Sequence, residues 1–379
     1  MEKWYMKMEV FAMERAMSTW ENLVDYDISE SGVKPVCLRD LVEMGFDLEK
    51  MMDEPLGYSQ ANGTIQLREI LAQQYPGAGI DNIEVTNGTS EANYVLAITL
   101  LGQGDEFALA IPNYMQLEGV AKAVGAKVNK FSLQHDKNWQ IDWGEFESAV
   151  NPNTRLVYIT RPSNPTGSIL SEASVERILK RCEEMDAYLI SDEVYIGSEI
   201  DVARTKTCWG MSDKVIVTSG LSKAYGIPGI RIGWLVGPEK LVAECWSQHD
   251  YITIGPNILS DALARVAVTA ENREKLYART CQAIKSNLPV YRQWIKEFDG
   301  LLEFNEPAAG AFCFIKYHSD VPSQKISEKI IAEQSTLIAP GSHFGMEGFL
   351  RLWLGGEPDF IKRGLGRVSR VLKTIMRKE

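Results

Sequence analysis

The 379-residue chain contains no apolar run of about 18 residues or more, so no stretch is long enough to cross a bilayer as a helix. Its N-terminal stretch carries Glu9 and Glu14 among the apolar residues, where a secretory signal would hold an uninterrupted hydrophobic core. The cysteines are few and scattered, at 37, 182, 208, 245, 281 and 313, without a C-x-x-C pair. That usage suits reduced thiols in a cytoplasmic protein better than a disulfide framework. The 4 histidines lie far apart and give no metal-ligand spacing, so no metal is expected. Positive charge is also short: 40 Lys and Arg stand against 51 Asp and Glu, a net charge of −11, with no basic block. Nucleic acid is therefore not an expected partner. Neither an internal repeat nor a low-complexity linker interrupts the chain.

What is present is an alternation of strands and helices. With 45% hydrophobic residues there is ample material for a large core. Strand-like runs occur at Ile83–Thr86, Glu106–Ile111, Lys127–Phe131, Leu156–Thr160, Tyr188–Ser191, Val215–Thr218 and Ile230–Val236, and helical patterns separate several of them. Near-continuous apolar strands alternating with helices predict an α/β fold with a seven-stranded, mostly parallel sheet covered on both faces. After about residue 257 come long helical patterns at Asn257–Thr269 and Glu271–Phe298. Short strand-like runs follow at Phe312–Ile315, Leu337–Ala339 and Phe349–Leu352, then a helix at Phe360–Lys373. The expected organisation is an N-terminal arm (1–45) joining a smaller α+β domain (257–379), with a large domain (46–256) between them. Within the arm, apolar residues at three-to-four spacing predict an amphipathic helix over Met6–Leu23. Spacing leaves open whether it packs on its own domain or on a neighbouring subunit.

Ligands of such sheets sit beyond the carboxyl ends of the strands, and candidate residues fall there. After Thr86 the turn Gly88-Thr89-Ser90 opens a helix; free N–H groups, two hydroxyls and the positive end of the dipole make an anion site. After Thr218 a small-residue turn presents Lys223, and Gly226, Pro228 and Gly229 bend the backbone before Arg231 arrives. A lysine in a partly apolar pocket has a lowered pKa, and its amine can form a Schiff base with a carbonyl. On spacing alone an ordinary surface lysine between two strands competes with this reading.

The run Gly220-Leu-Ser-Lys223, continued by Gly229, Arg231 and Gly233, resembles the lysine signature of class I/II aminotransferases, which are fold-type I pyridoxal-phosphate enzymes. The resemblance extends over roughly residues 25 to 375. It implies pyridoxal 5′-phosphate as cofactor, joined to Lys223 as a Schiff base, with Asp192 and Tyr195 as further catalytic residues. It places Gly88, Thr89, Ser90, Ser222 and Arg231 around the phosphate and Tyr114 against the pyridine ring. Asp192 is placed under the ring nitrogen, and Asn164 and Tyr195 at the 3′ oxygen. It further implies a homodimer in which Tyr58 reaches the phosphate of the other subunit, and a small amino-acid substrate whose α-carboxylate is gripped by Arg351, beside Asn164.

Three positions depart from the family pattern. Gly220 stands where a phosphate-binding serine is common, leaving Ser219 and Ser222 as candidates in its place. Arg161 stands where asparagine or another small polar residue is usual. The lid-like stretch Ser29-Glu30-Ser31-Gly32 replaces a Leu-x-x-Gly-x-Pro-like segment and resembles capreomycidine synthase-like cyclases; it puts Glu30, Ser31 and Gly32 against the substrate. The expected activity is transamination of an α-amino acid with a cationic or neutral side chain. The alternative is elimination or cyclisation of an arginine-derived substrate. A pyridoxal-phosphate sensor fused to a DNA-binding module is set aside, because the roughly 45 residues before the large domain lack a winged helix-turn-helix pattern. Arg161 decides much of the substrate reading: turned inward, it would supply a second cation for an acidic side chain.

Overall fold

The computed structural model of the chain describes residues 7–376. All seven anticipated runs are strands of one sheet, and an eighth joins them at an edge. In chain order they are β1 (Ile83–Thr86), β2 (Glu106–Ile111), β3 (Lys127–Gln134), β4 (Gln140–Ile141), β5 (Thr154–Thr160), β6 (Tyr188–Asp192), β7 (Val215–Gly220) and β8 (Gly233–Val236). Their spatial order is β1-β8-β7-β6-β5-β2-β3-β4. The pairs β7–β6, β6–β5, β5–β2 and β2–β3 are parallel, whereas β8 runs antiparallel to both its neighbours and β4 antiparallel to β3. The extra strand β4 follows a reversal in which Asn138 and Trp139 both take left-handed backbone angles (φ 53° and 62°). A β-turn through an aromatic residue is against ordinary preference, which hid it from pattern reading. The seventh run is also shorter than its apolar residues suggest. Pro228–Ile230 form a 3-10 turn and Arg231 is left-handed (φ 53°), so pairing starts only at Gly233.

Alternation along the strands divides the core. Phe107 and Leu109 face the helices Thr89–Leu100, Gln116–Ala123 and Glu239–His249, together with Leu156, Tyr158, Ile190 and Ile216. Ala108 and Ala110 face the other way, with Val157, Ile159, Leu189 and Val217, against the helices Ile65–Ala72 and Glu172–Glu184. Period-two side chains on a sheet covered on both faces give this two-sided core.

A second core lies under the smaller sheet: β9 (Leu302–Phe304), β10 (Phe312–Tyr317), β11 (Ala339–Pro340) and β12 (Phe349–Trp353), paired antiparallel in the order β9-β10-β12-β11. The long helix Ala270–Lys296 and the helix Pro358–Met376 cover it. Ile28 and Val33 from the N-terminal stretch are buried in the same core, and Tyr26–Asp27 pair in parallel with Thr336–Leu337. That anchorage fixes residues 29–32 over the carboxyl ends of the large sheet. The arm helix spans Ala12–Trp20, shorter than the predicted Met6–Leu23; Met6 lies outside the described residues. Met13 is buried in the large core, so within the chain the helix packs on its own body.

Candidate active site

The carboxyl ends of β1, β2, β5, β6 and β7 converge with the arm helix, residues 30–35 and β12 around a cavity of about 450 Å³. Lys223 stands in it, and its Nζ donates to Ser31 Oγ at 2.8 Å. Burial lowers the amine's pKa, opposed in part by the carboxylate of Glu30. Asp192 is the last residue of β6. Its carboxylate accepts from Asn93 Nδ2 (3.1 Å), Tyr158 Oη (2.9 Å) and the main-chain N–H of Val194 (3.1 Å). Burial still raises its pKa against these hydrogen bonds. Three neutral donors with no cation in contact describe a buried carboxylate suited to a protonated ring nitrogen.

Neither Asn93 nor Tyr158 stood out in the sequence. Asn93 is 2% exposed, one helical turn after Thr89 and just before the apolar run Val95–Ile98, and that placement was the available signal. Tyr195 is buried edge-on against Phe312, with ring centroids 5.2 Å apart, and burial pushes its phenol well up. Tyr114 lines the cavity and donates to Glu14 Oε1 at 3.0 Å, which brings the arm helix into the wall with Met13, Met17 and Glu21.

At the opposite end Gly88 (φ 95°) precedes the helix Thr89–Leu100, and any Cβ there would collide with Arg231 Nη2. The guanidinium thus lies over the bare backbone of the turn. Its Nη1 donates to Pro228 O (2.9 Å) and Ser222 Oγ (3.4 Å), while Ser90 and Thr89 face the same space. A Cβ at Gly220 would collide with Thr89 Oγ1, so a serine has no room there. Of the two replacements considered, Ser222 lines the cavity; Ser219 faces a separate cavity beside Tyr75 and Glu193.

Arg351, in β12, is 1% exposed. Its Nη1 donates to Asn164 Oδ1 (3.0 Å) and its Nη2 to Ser29 O (2.6 Å), and it lies over the Phe344 ring at 4.8 Å. Its Nε is buried without a partner. The bond to Asn164 orients that carboxamide, with its NH2 as the remaining donor. Arg161 turns away from the cavity: Nε donates to Leu170 O (2.8 Å) and Nη1 to Lys206 O (2.7 Å). It therefore does not supply the second cation considered for an acidic substrate. The lining near Arg351 is acidic: Glu30, Glu14 and Asp27 all act on its guanidinium. Carboxylate oxygens of Glu21, Asp27 and Glu30 lie within 4.8 Å of one another. Burial first, then Glu30 and Glu21, raise Asp27's pKa against its hydrogen bonds from Ser29. Gly32 packs beneath this wall, where a Cβ would stand 3.3 Å from Ser222 O. Tyr58 is 93% exposed and outside the cavity.

A lysine, a buried carboxylate and an anion cradle at the carboxyl ends of this sheet define a fold-type I pyridoxal-phosphate enzyme. Residues 35–368 match the model of the family "Aminotransferase class I and II", and the chain belongs to that family. Capreomycidine synthase of Streptomyces vinaceus is 28% identical over 308 residues, covering 81% of this chain and 78% of that one. A valine–pyruvate aminotransferase of Mycobacterium tuberculosis is 29% identical over 332 residues, with 83% of each chain covered. The crystal structure of a PLP-dependent aminotransferase from Streptococcus suis superposes with a TM-score of 0.90 at 27% identity, covering 97% of this chain and 99% of that one. The cofactor is pyridoxal 5′-phosphate, and the residues present suit it. The Gly88 cradle and Arg231 offer an anion site, Asp192 offers a buried carboxylate, and Arg351 has a donor unused. No helix among the described residues is long and apolar enough to cross a membrane.

Proposed function

We propose that this enzyme transaminates an α-amino acid whose side chain is cationic or uncharged. The distribution of charge in the cavity carries the reading. Among the described residues lining it, the cations are Lys223, Arg231 and Arg351, and each already has a task. Lys223 is the amine that carries the cofactor, Arg231 holds its phosphate with Gly88, Thr89, Ser90 and Ser222, and Arg351 takes the substrate α-carboxylate. The remaining wall offers Glu14, Glu21 and Glu30. A distal carboxylate would meet like charge there, whereas an ammonium or guanidinium would gain charge-assisted hydrogen bonds.

When bound, the cofactor supplies the carbonyl that condenses with amines and the electron sink for the bond being broken. The protein's groups do the rest. Asp192 keeps a proton on the ring nitrogen. Tyr195 Oη and Asn164 Nδ2 would donate to the 3′ oxygen, and Tyr114 would cover the ring. Lys223, whose ammonium form burial disfavours, would accept the proton from the substrate Cα once its amine is free and return it one position further along. Arg351 and Asn164 orient the carboxylate so that the Cα–H bond faces that amine, with Ser31 and Gly32 closing the substrate side.

A homodimer fits the surface. Met52 (71%), Leu56 (76%), Tyr58 (93%) and Tyr251 (89%) are exposed, on two segments joined by the bond from Ser59 Oγ to Pro256 O. We take this face to bury itself against a second copy and to deliver Tyr58 to the partner's phosphate end. A cytoplasmic location suits the free cysteines.

One observation favours the second reading, elimination or cyclisation of an arginine-derived substrate. Ser31, from the cyclase-like stretch, sits against Lys223 Nζ and adds a proton-bearing group on the substrate side. Steady-state rates with arginine, alanine and aspartate as donors test the charge argument, and a β-hydroxylated arginine, which carries a leaving group, followed by product mass, separates the two reactions. A kcat/KM for aspartate more than about tenfold above the others, a gap of about 1.4 kcal/mol, refutes the charge argument. From the β-hydroxylated arginine, a product that has lost water and kept its α-nitrogen selects cyclisation, and loss of water with release of free ammonia selects elimination.

A further inference from the structure

His249 ends the helix Glu239–His249 and is wholly buried between two carboxylates. Its Nδ1 lies 2.9 Å from Glu84 Oε1, and its Nε2 lies 3.0 Å from Glu91 Oε2 and 3.1 Å from Thr253 Oγ1. Both ring nitrogens face carboxylate oxygens, so both carry hydrogen and the ring is an imidazolium. Burial alone would lower its pKa, but the two glutamates outweigh that and raise it to about 9. Burial raises Glu84, whereas hydrogen bonds from His249, Asn87 and Thr253 hold Glu91 low against burial. Asp250 is the other charged neighbour of this group.

The position of Glu91 gives the cluster its meaning. It lies in the first turn of the helix Thr89–Leu100, immediately behind the Gly88–Ser90 turn, and it accepts the main-chain N–H of Asn87. Asn87 Nδ2 in turn donates to Thr253 Oγ1 (2.7 Å) and Gly255 O (3.2 Å). A bare carboxylate in that turn would oppose a phosphate dianion at the same helix end. We propose that His249 is a positioning residue for the cofactor phosphate: its imidazolium, shared with Glu84, offsets the Glu91 charge and, through Thr253 and Asn87, fixes the Gly88–Ser90 turn in its anion-binding shape. The proposal rests on the reading that this turn takes the phosphate.

The test is calorimetric binding of pyridoxal 5′-phosphate and of phosphate-free pyridoxal to the cofactor-stripped protein. His249→Gln should raise the Kd for pyridoxal 5′-phosphate about tenfold, the size of a strong helix-terminal charge effect, and that for pyridoxal less than about twofold. Adding Glu91→Gln to His249→Gln removes the uncompensated charge and should bring the Kd back to within about threefold of the parent. Thr253→Val, at an exposed position, should shift the same ratio about threefold and serves if His249→Gln does not fold. Equal weakening of both ligands, or no recovery in the double variant, would mean that His249 only supports the scaffold, and overturns the proposal. A parent protein that binds both ligands equally overturns it at its root, because the turn then does not hold the phosphate. A parent that prefers the phosphate ester, with the preference intact in His249→Gln and Thr253→Val, overturns the role of His249 alone.

Discussion

Restoring the serine common in the family, by Gly220→Ser, should damage this enzyme. A Cβ on residue 220 would collide with Thr89 Oγ1, come 3.0 Å from Ile232 O and lie 3.1 Å from Gly233 Cα. The last two are main chain held by the β7–β8 register, in which Gly220 pairs Gly233, so they cannot retreat without breaking the ladder. Thr89 has to move, and its hydroxyl, which donates to Ser219 O at 2.9 Å, loses that partner. A lost hydrogen bond costs about 1 kcal/mol and overpacking about 1–3 kcal/mol more, so the variant should be about 2–4 kcal/mol less stable. Because Thr89 is the first residue of the helix facing the phosphate, cofactor affinity should fall with stability. Urea unfolding of the cofactor-stripped protein and titration with pyridoxal 5′-phosphate measure the two effects. Thr89→Ala removes the colliding oxygen, so Gly220→Ser in that background should cost at least about 1 kcal/mol less than in the parent. Full stability in Gly220→Ser, tighter cofactor binding, or strict additivity with Thr89→Ala would refute the reasoning.

Lys223→Ala should lose the visible absorbance of the lysine-bound cofactor while still binding pyridoxal 5′-phosphate through the anion cradle; an unchanged spectrum with full turnover makes another lysine the partner. Asp192→Asn should keep the fold, because the Tyr158 hydroxyl and the unpartnered Oδ1 of Asn93 can accept from the new amide, and lose on the order of 10² or more in kcat; near-parental kcat by steady-state assay moves the ring-nitrogen partner elsewhere. Arg351→Lys should lower kcat/KM for α-amino acids about 10²- to 10⁴-fold, since the planar fork is lost and two charge-assisted hydrogen bonds of about 1.5–3 kcal/mol each go with it. Turnover of the same amine without its carboxylate should barely change, and an equal loss there assigns Arg351 a structural role.

The stations at the strand ends were legible because each couples an apolar run to a turn of Gly, Pro, Asn or Ser, and such turns are local in sequence. Lys223 and the Gly88–Ser90 turn, placed by that logic, and Asp192, Asn164 and Tyr114, placed at strand ends by the family resemblance, surround one cavity or frame its anion end. Partnerships across the fold were not legible. Tyr158 and Asn93 meet Asp192 only because β5 lies beside β6 and the helix Thr89–Leu100 crosses that face, and both facts depend on sheet order. The exchange between Gly220 and Thr89 looked like a missing serine, when it is a volume swap between residues 131 positions apart in chain number that depends on β7 lying under the helix. His249 read as one of a few scattered histidines, since its two glutamates come from β1 and from the helix after it.

Two buried arginines show how little burial alone says about function. Arg161 is 3% exposed and Arg351 1%. Burying a guanidinium is costly unless its donors are met. In Arg161, Nε and Nη1 are spent on the carbonyls of Leu170 and Lys206, and the buried Glu193 stands beside it as counter-charge. That arginine ties the β5 turn to the segment around residue 206, and drawing it to a ligand would strand those carbonyls. In Arg351 both Nη atoms are anchored, one on Asn164 and one on the lid carbonyl of Ser29, yet Nε has no partner. Its direct contacts are two aromatic rings, an amide and a carbonyl, while Glu30, Glu14 and Asp27 act on it through space without an ion pair. An incoming carboxylate therefore meets a pre-oriented cation and relieves an unsatisfied donor. On the proposed role, that carboxylate would dock beside Asn164 and Ser29, linking the substrate to the 164 turn and to residues 29–32. The substrate-charge proposal follows from this pair: with Arg161 committed to the scaffold, Arg351 is committed to the α-carboxylate, and the acidic wall of Glu14, Glu21 and Glu30 is left to choose the side chain.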